Sequence, residues 1–155
     1  MTPRLWFSAV CAGAFALGLP APRAVTRDVT LNEFAFSGLP QQPLRRAGGE
    51  ESWRVQNRGR ELHEVTVLRL ADSSSLGDVD AWVARGASLL LPPAEVSLHI
   101  DALLPGAEAD RTIRLDARLY VVICLVPIER RGDGSFEHHA SRGMRTTFVV
   151  SPPAN

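Results

Sequence analysis

The C-terminal third of the chain places a thiol, imidazoles and a thioether close together in sequence. Cys124 ends an apolar run, the pair His138 and His139 follows, and Met144 comes shortly afterwards. A thiolate, two imidazoles and a weakly bound thioether are the donors that suit a copper ion that changes between Cu(I) and Cu(II). These residue types therefore predict a site for one copper ion, to which one of the two adjacent histidines contributes.

The second imidazole must come from a distant part of the chain, and His63 is the candidate. It lies between a turn signal at residues 57–60 and an alternating apolar run that begins at Val65. A sandwich of two sheets brings the ends of distant strands together, so His63 can meet Cys124. We predict a metal site that contains both residues.

Simpler interpretations exist for each of these side chains. Cys124 in an apolar run can be a small buried hydrophobe, His63 a core or surface imidazole, and Met144 core filler. His99 falls on the polar face of its predicted strand, which favours a solvated side chain. Glu61 and Glu64 could form a carboxylate–histidine metal site, but no nucleophile with a neighbouring base is evident, so we predict no catalysis.

The elements that must position these residues are predominantly β-strands. Short runs of alternating or β-branched residues, bounded by Gly, Pro and Asn, predict strands at residues 29–36, 52–56, 65–70, 95–100, 111–115, 119–126 and 146–150. Residues 119–126 are apolar on both faces, which is typical of a central strand. The glycines of Gly132-Asp133-Gly134 predict a tight turn within a small hairpin.

One segment breaks the strand rhythm. Between residues 75 and 86, apolar residues recur three to four apart, Ser75 or Asp78 can cap the start, and Gly86 can end the segment. We therefore predict one short helix inside a long connection of an all-β sandwich. The 155 residues and their zero formal net charge suit one domain and give no electrostatic reason for binding nucleic acid.

The first residues resemble a secretory signal. Arg4 precedes an apolar run that is too short to cross a bilayer, and cleavage after Gly18 or after Ala24 is consistent with the sequence. Ser8-Ala9-Val10-Cys11 is a poor lipoprotein signal because a valine stands where a small residue is needed. We predict a signal peptide at residues 1–24, a mature domain at residues 25–155, a periplasmic or secreted location, and Cys124 as the single mature thiol.

The combined pattern resembles the cupredoxins, the small blue copper proteins related to plastocyanin. The resemblance covers residues 29–150 and rests on three spaced motifs: Asn57-x-Gly59-x-x-x-His63-Glu64, Tyr120-x-x-x-Cys124, and His139-x-x-x-Gly143-Met144. It implies a Greek-key β-sandwich and copper ligands at His63, Cys124, His139 and Met144. The five-residue step from His139 to Met144 matches plastocyanin-like sites, which favours His139 over His138; a shifted loop register would reverse this choice.

The spacing between Cys124 and His139 departs from the plastocyanin pattern. Fourteen residues separate them, as in a secreted cupredoxin branch with a long insertion at this point. Lengthening a loop to this extent costs roughly 1.5–2 kcal/mol of closure entropy, against metal binding on the order of 10 kcal/mol. The resemblance implies an exported electron carrier with a redox partner protein and no membrane span. A copper chaperone, or a binding or assembly module of this fold without a functional copper site, are the alternatives.

Overall fold

The computed structural model describes residues 25–45, 48–87, 92–130 and 132–153. The predicted signal peptide and Cys11 lie outside these ranges. The strands are β1 Val25–Asn32, β2 Ala35–Ser37, β3 Leu44–Arg45, β4 Gly49–Asn57, β5 His63–Arg69, β6 Glu95–Leu103, β7 Glu108–Leu115, β8 Leu119–Ile123, β9 Pro127–Arg130, β10 Phe136–His138 and β11 Arg145–Ser151. The helices are α1, Leu76–Ala84, and a 3-10 helix, His139–Arg142.

The strands form two main sheets, as the all-β prediction requires. The first has the order β2-β1-β4-β7, and the second has the order β3-β11-β8-β5-β6. Neighbours are antiparallel except for the pairs β1–β4 and β3–β11, which are parallel. Many neighbours are not consecutive in sequence, so the chain crosses repeatedly between the sheets.

The main core lies between the two sheets. It joins Val29, Trp53 and Ile113 of the first sheet to Tyr120 and Phe148 of the second. The rings of Tyr120 and Phe148 stack with centroids 5.0 Å apart. Both predicted ligand positions near the C terminus, Cys124 and Met144, are fully buried in this same cluster. The metal-site candidates are therefore at the edge of the core and not in a surface loop.

A second apolar cluster covers the outer face of the second sheet. Helix α1 buries Val79, Trp82 and Val83 against Val121 and Ile123 of β8. Strand β8 is consequently buried on both faces, which confirms the interpretation of its continuous apolar run. The predicted helix is also confirmed, and Ser75 and Asp78 form a capping box at its start.

Several predicted boundaries are wrong. The run at residues 29–36 is not one strand, because the chain turns at Phe34, which has a positive φ of 56°, and then returns as β2. Strand β8 ends at Ile123 and not at residue 126, and Pro127 begins β9. A proline fits there because β9 lies in a two-stranded hairpin, where one N–H need not join a ladder. The two-residue strand β3 falls in a stretch with no strand signal.

The fourteen residues between Cys124 and His139 contain the predicted hairpin. Strands β9 and β10 pair antiparallel, with Phe136 opposite Arg130. At the turn, the Asp133 carboxylate accepts a hydrogen bond from the backbone N–H of Ser135 at 2.9 Å. This folded excursion returns the chain to the place where β8 ended. Among the described residues, no helix is long and apolar enough to cross a membrane.

Candidate metal centre

His63 begins β5 directly after a loop that Asn57 organises. The buried Asn57 amide donates to the backbone oxygens of Glu61 and Leu103, both at 2.8 Å, and its Oδ1 accepts from the N–H of Gly59 at 2.9 Å. Gly59 packs against the imidazole of His63, since a Cβ at that position would lie 2.7 Å from Nε2. The Asn57 and Gly59 positions of the sequence motif thus fix the approach of His63 to the core.

Cys124 is held where β8 gives way to the hairpin. Its backbone N–H donates to Met144 O at 3.1 Å, and its carbonyl accepts from Ala140 N at 2.9 Å. The fully buried Sγ accepts a hydrogen bond from the backbone N–H of Glu64 at 3.4 Å. The thiol is therefore tied both to the strand that carries His63 and to the loop that carries His139.

His139 opens the 3-10 helix and is almost completely buried. Its backbone N–H donates to Val126 O at 3.0 Å, and its carbonyl accepts from Met144 N at 3.0 Å. The edge of the Phe34 ring contacts the imidazole, with centroids 5.2 Å apart. The Nε2 atom lies 3.2 Å from Glu61 Oε2, so Nδ1 is the nitrogen that faces inward.

The three side chains converge on one point. His63 Nδ1 and His139 Nδ1 are 3.0 Å apart, and Cys124 Sγ lies 3.6 Å from His139 Nδ1. All three donor atoms lie within 4.8 Å of one another. A metal that binds nitrogen at about 2.0 Å and sulfur at about 2.3 Å holds such donors about 3.3–3.7 Å apart. The donors therefore fit a single ion after a movement of a few tenths of an ångström.

The structure places the other two candidates near this cluster with different relations to it. Met144 is fully buried and belongs to the same core cluster as Cys124. His138 is buried too, but it is not among the three converging residues. Its backbone is extended, with φ −117° and ψ 162°, so its side chain projects away from that of His139.

The electrostatics of the cluster favour neutral donors. Burial raises the pKa of the Cys124 thiol to about 11. Burial also lowers the pKa of His63, and for His139 burial is again the main cause, followed by the neighbouring His63. Without a metal, the site thus holds a thiol and two neutral imidazoles. A metal ion must displace the thiol proton, because the thiolate is the ligand form.

Sequence reasoning did not find the polar groups that surround the cluster. The Glu64 carboxylate accepts from Leu125 N at 3.0 Å, and burial raises its pKa. Thr66 Oγ1 lies 3.3 Å from that carboxylate and 3.0 Å from Nδ1 of His99. His99 is therefore half-buried and bonded, contrary to the expectation of a solvated side chain. Glu61 and Glu64 were considered only as ligands, whereas both serve as hydrogen-bond partners.

Comparison with solved structures gives three similar blue copper proteins of the auracyanin type. A dithionite-reduced auracyanin from Roseiflexus castenholzii shows TM-score 0.55 and 16% identity over 83% of this chain and 98% of its own. Auracyanin B shows TM-score 0.53 and 22% identity over 86% and 94%. Auracyanin A, a "blue" copper protein from Chloroflexus aurantiacus, shows TM-score 0.53 and 19% identity over 83% and 99%.

The chain has a cupredoxin-like fold. The likeness spans nearly the whole length of each auracyanin, which confirms the fold that the sequence motifs implied. No protein-family model matches the sequence, and no curated protein matches it either. Within this cupredoxin-like frame, the His63, Cys124 and His139 cluster is the group of described residues with the geometry of a metal site.

Proposed function

We propose that this chain binds one copper ion through His63, Cys124 and His139, with Met144 as a weak axial ligand, and carries single electrons. The observation that supports the proposal is the convergence of one sulfur and two Nδ1 atoms in a buried cluster. Two imidazoles and a thiolate with a long axial thioether are the donor set of electron-transfer copper sites. When bound, copper supplies the change between Cu(I) and Cu(II).

The protein's contribution is a rigid frame for the donors. Cys124, His139 and Met144 are connected by backbone hydrogen bonds of 2.9–3.1 Å between Cys124 and Met144, Ala140 and Cys124, and Met144 and His139. Such a frame changes little when the charge at its centre changes, and the burial of all three donors excludes water from the site. Both properties favour rapid transfer of one electron and no chemistry on a bound substrate, so we propose a carrier and not an enzyme.

The proposed setting is the periplasm or the exterior of the cell. The apolar leader with Arg4 supports export, and an exported protein with a single thiol benefits from holding that thiol in a buried metal site. The partner is then a redox protein of the same compartment. The zero formal net charge gives no support for a nucleic acid partner.

Repeated redox cycling of the copper-loaded protein tests the proposal. The protein is reduced and reoxidised several times in the presence of a moderate Cu(I) chelator, and bound copper is measured after each cycle. An electron carrier keeps one copper ion per chain and recovers its Cu(II) spectrum each time. Loss of the ion to the chelator in the first reduced state would contradict electron transfer and favour a copper chaperone. Failure to bind copper at all would favour a binding module.

A further inference from the structure

Glu61 is bonded to the side of His139 that faces away from the cluster. Its Oε2 lies 3.2 Å from Nε2, while Nδ1 of the same ring faces His63. The imidazole is 3% exposed and the Glu61 side chain is 52% exposed, so the carboxylate stands between the ring and solvent. We propose that Glu61 is a positioning residue that holds His139 in the Nε2–H tautomer and directs its Nδ1 lone pair at the ion. The inference rests on the proposed function for the identity of that ion.

The argument follows from what each group can donate. An ionised carboxylate only accepts hydrogen bonds, and a neutral imidazole has one N–H donor and one acceptor nitrogen. His139 is held neutral by its burial, so the bond to Glu61 assigns its single proton to Nε2. Nδ1 is then an acceptor, as a metal ligand must be. A carboxylate on the second nitrogen also increases the basicity of a ligating imidazole.

The same reasoning fixes the proton of the other histidine. Because Nδ1 of His139 is an acceptor, the 3.0 Å contact between the two Nδ1 atoms requires His63 to donate its Nδ1–H when no metal is present. Nε2 of His63 is then deprotonated, and it has no hydrogen-bond partner among the described residues. Loading an ion therefore requires His63 to lose the proton at Nδ1 and take one at Nε2, whereas His139 keeps its tautomer. The Cys124 thiol proton is the one released to solvent.

The loop supports this role for Glu61 independently of its side chain. The Asn57 amide donates to Glu61 O at 2.8 Å, so the backbone at residue 61 is fixed by the same buried residue that organises the approach to His63. Shortening the Glu61 side chain leaves that contact in place. A variant at this position thus tests the carboxylate and not the folding of the loop.

Nitrogen-15 NMR of the histidine rings tests the proposal with Cu(I), which is diamagnetic, as the probe. Without metal, two-bond correlations should show His139 as Nε2–H and His63 as Nδ1–H. With one equivalent of Cu(I), His63 should become Nε2–H while His139 is unchanged. In Glu61→Ala, His139 should lose its single tautomer, and Cu(I) affinity measured by chelator competition should fall about 10- to 100-fold.

Two further variants separate positioning from simple charge. Glu61→Gln keeps an oxygen acceptor and should retain the His139 tautomer and most of the affinity. Glu108→Gln removes the same charge at an exposed side chain that is bonded to Gln56, and should change neither readout. If metal-free His139 is Nδ1–H, or if Glu61→Ala behaves like the wild type in both readouts, the proposal is overturned. Failure of the wild type to bind Cu(I) would contradict the proposed function, while the metal-free tautomers would still decide the role of Glu61.

Discussion

At the scale of single residues, the site joins donors that are cheap to bury in their neutral forms. A thiol with a pKa of about 11 and two imidazoles with lowered pKa values carry no charge at neutral pH. The ligand types were visible in the sequence because thiol and thioether groups are so scarce there, with two Cys and two Met in all. Glu61 was not identifiable in this way, since its role depends on the direction in which the loop turns.

The choice between the adjacent histidines gives a direct prediction. Replacing His139 with Ala should abolish or severely distort the spectrum of the Cu(II)-loaded protein, because Nδ1 of His139 lies 3.0 Å from Nδ1 of His63. Replacing His138 with Ala should leave that spectrum nearly unchanged, because its side chain projects away from the cluster. Visible absorption of the two variants under identical loading checks this. The opposite pattern would assign His138 as the ligand.

Met144 gives a second prediction at this scale. Replacing it with Leu should leave copper bound and raise the reduction potential, since a thioether donates weakly to Cu(II) and its loss favours Cu(I). The substitution preserves the apolar volume of a fully buried residue, so the fold should be retained. Voltammetry of both proteins measures the difference, and an unchanged potential would mean that Met144 only fills the core.

At the scale of elements, the site depends on two short segments that interrupt the strands. Residues 57–61 deliver His63, and the break after β8 at Ile123 frees Cys124 to bond with the 3-10 helix. Strand positions were predictable from alternation, and helix α1 from its periodicity and cap. The end of β8 was not, because the apolar run continues to residue 126 while the hydrogen bonds of Cys124 go to Met144 and Ala140.

Gly59 provides a prediction for the first of these segments. In Gly59→Ala, the added Cβ would lie 2.7 Å from His63 Nε2 and 2.8 Å from Glu33 Oε1, so the imidazole must shift. We expect weaker copper binding and an altered Cu(II) spectrum, measured by titration and absorption. Gly77→Ala is the matched control, because Gly77 lies in helix α1 and a Cβ there makes an ordinary 3.5 Å contact. Identical copper binding by Gly59→Ala and the wild type would refute the close-packing argument.

At the scale of the whole molecule, two cores enclose a β-sheet that carries the site on its edge. The sheet order could not be obtained from the sequence, because alternation identifies strands but not their partners. The fold class followed from the number and spacing of strands together with the family motifs. The buried cluster also makes the stability of the metal-free protein depend on pH.

The sign of that dependence follows from the buried histidines. The pKa values of His63 and His139 are lower in the folded than in the unfolded chain, so the unfolded state binds more protons as pH falls below about 6.5. The two imidazoles therefore contribute stability above this pH that is lost as pH decreases through their folded pKa values. The raised pKa of Glu64 acts in the opposite direction, since its folded form takes up a proton more readily.

A comparison with a variant isolates the histidine contribution. We expect the free energy of unfolding of the metal-free protein to fall more steeply between pH 7 and pH 5 than that of His139→Gln. Glu64 is present in both proteins, so its effect is shared. Urea denaturation at a series of pH values provides the measurement. Parallel pH profiles would show that His139 takes up its proton equally well in the folded and unfolded states.

The central claim is that Cys124 and two histidines bind one copper ion, and a Cu(II) titration followed by visible absorption tests it most directly. The wild-type protein should develop an intense thiolate-to-copper charge-transfer band that saturates at one equivalent. The band should be absent in Cys124→Ala and in His63→Ala, because Sγ and Nδ1 of these residues belong to the converging cluster. A colourless protein with one equivalent of bound copper, or a band that survives in Cys124→Ala, would contradict the account.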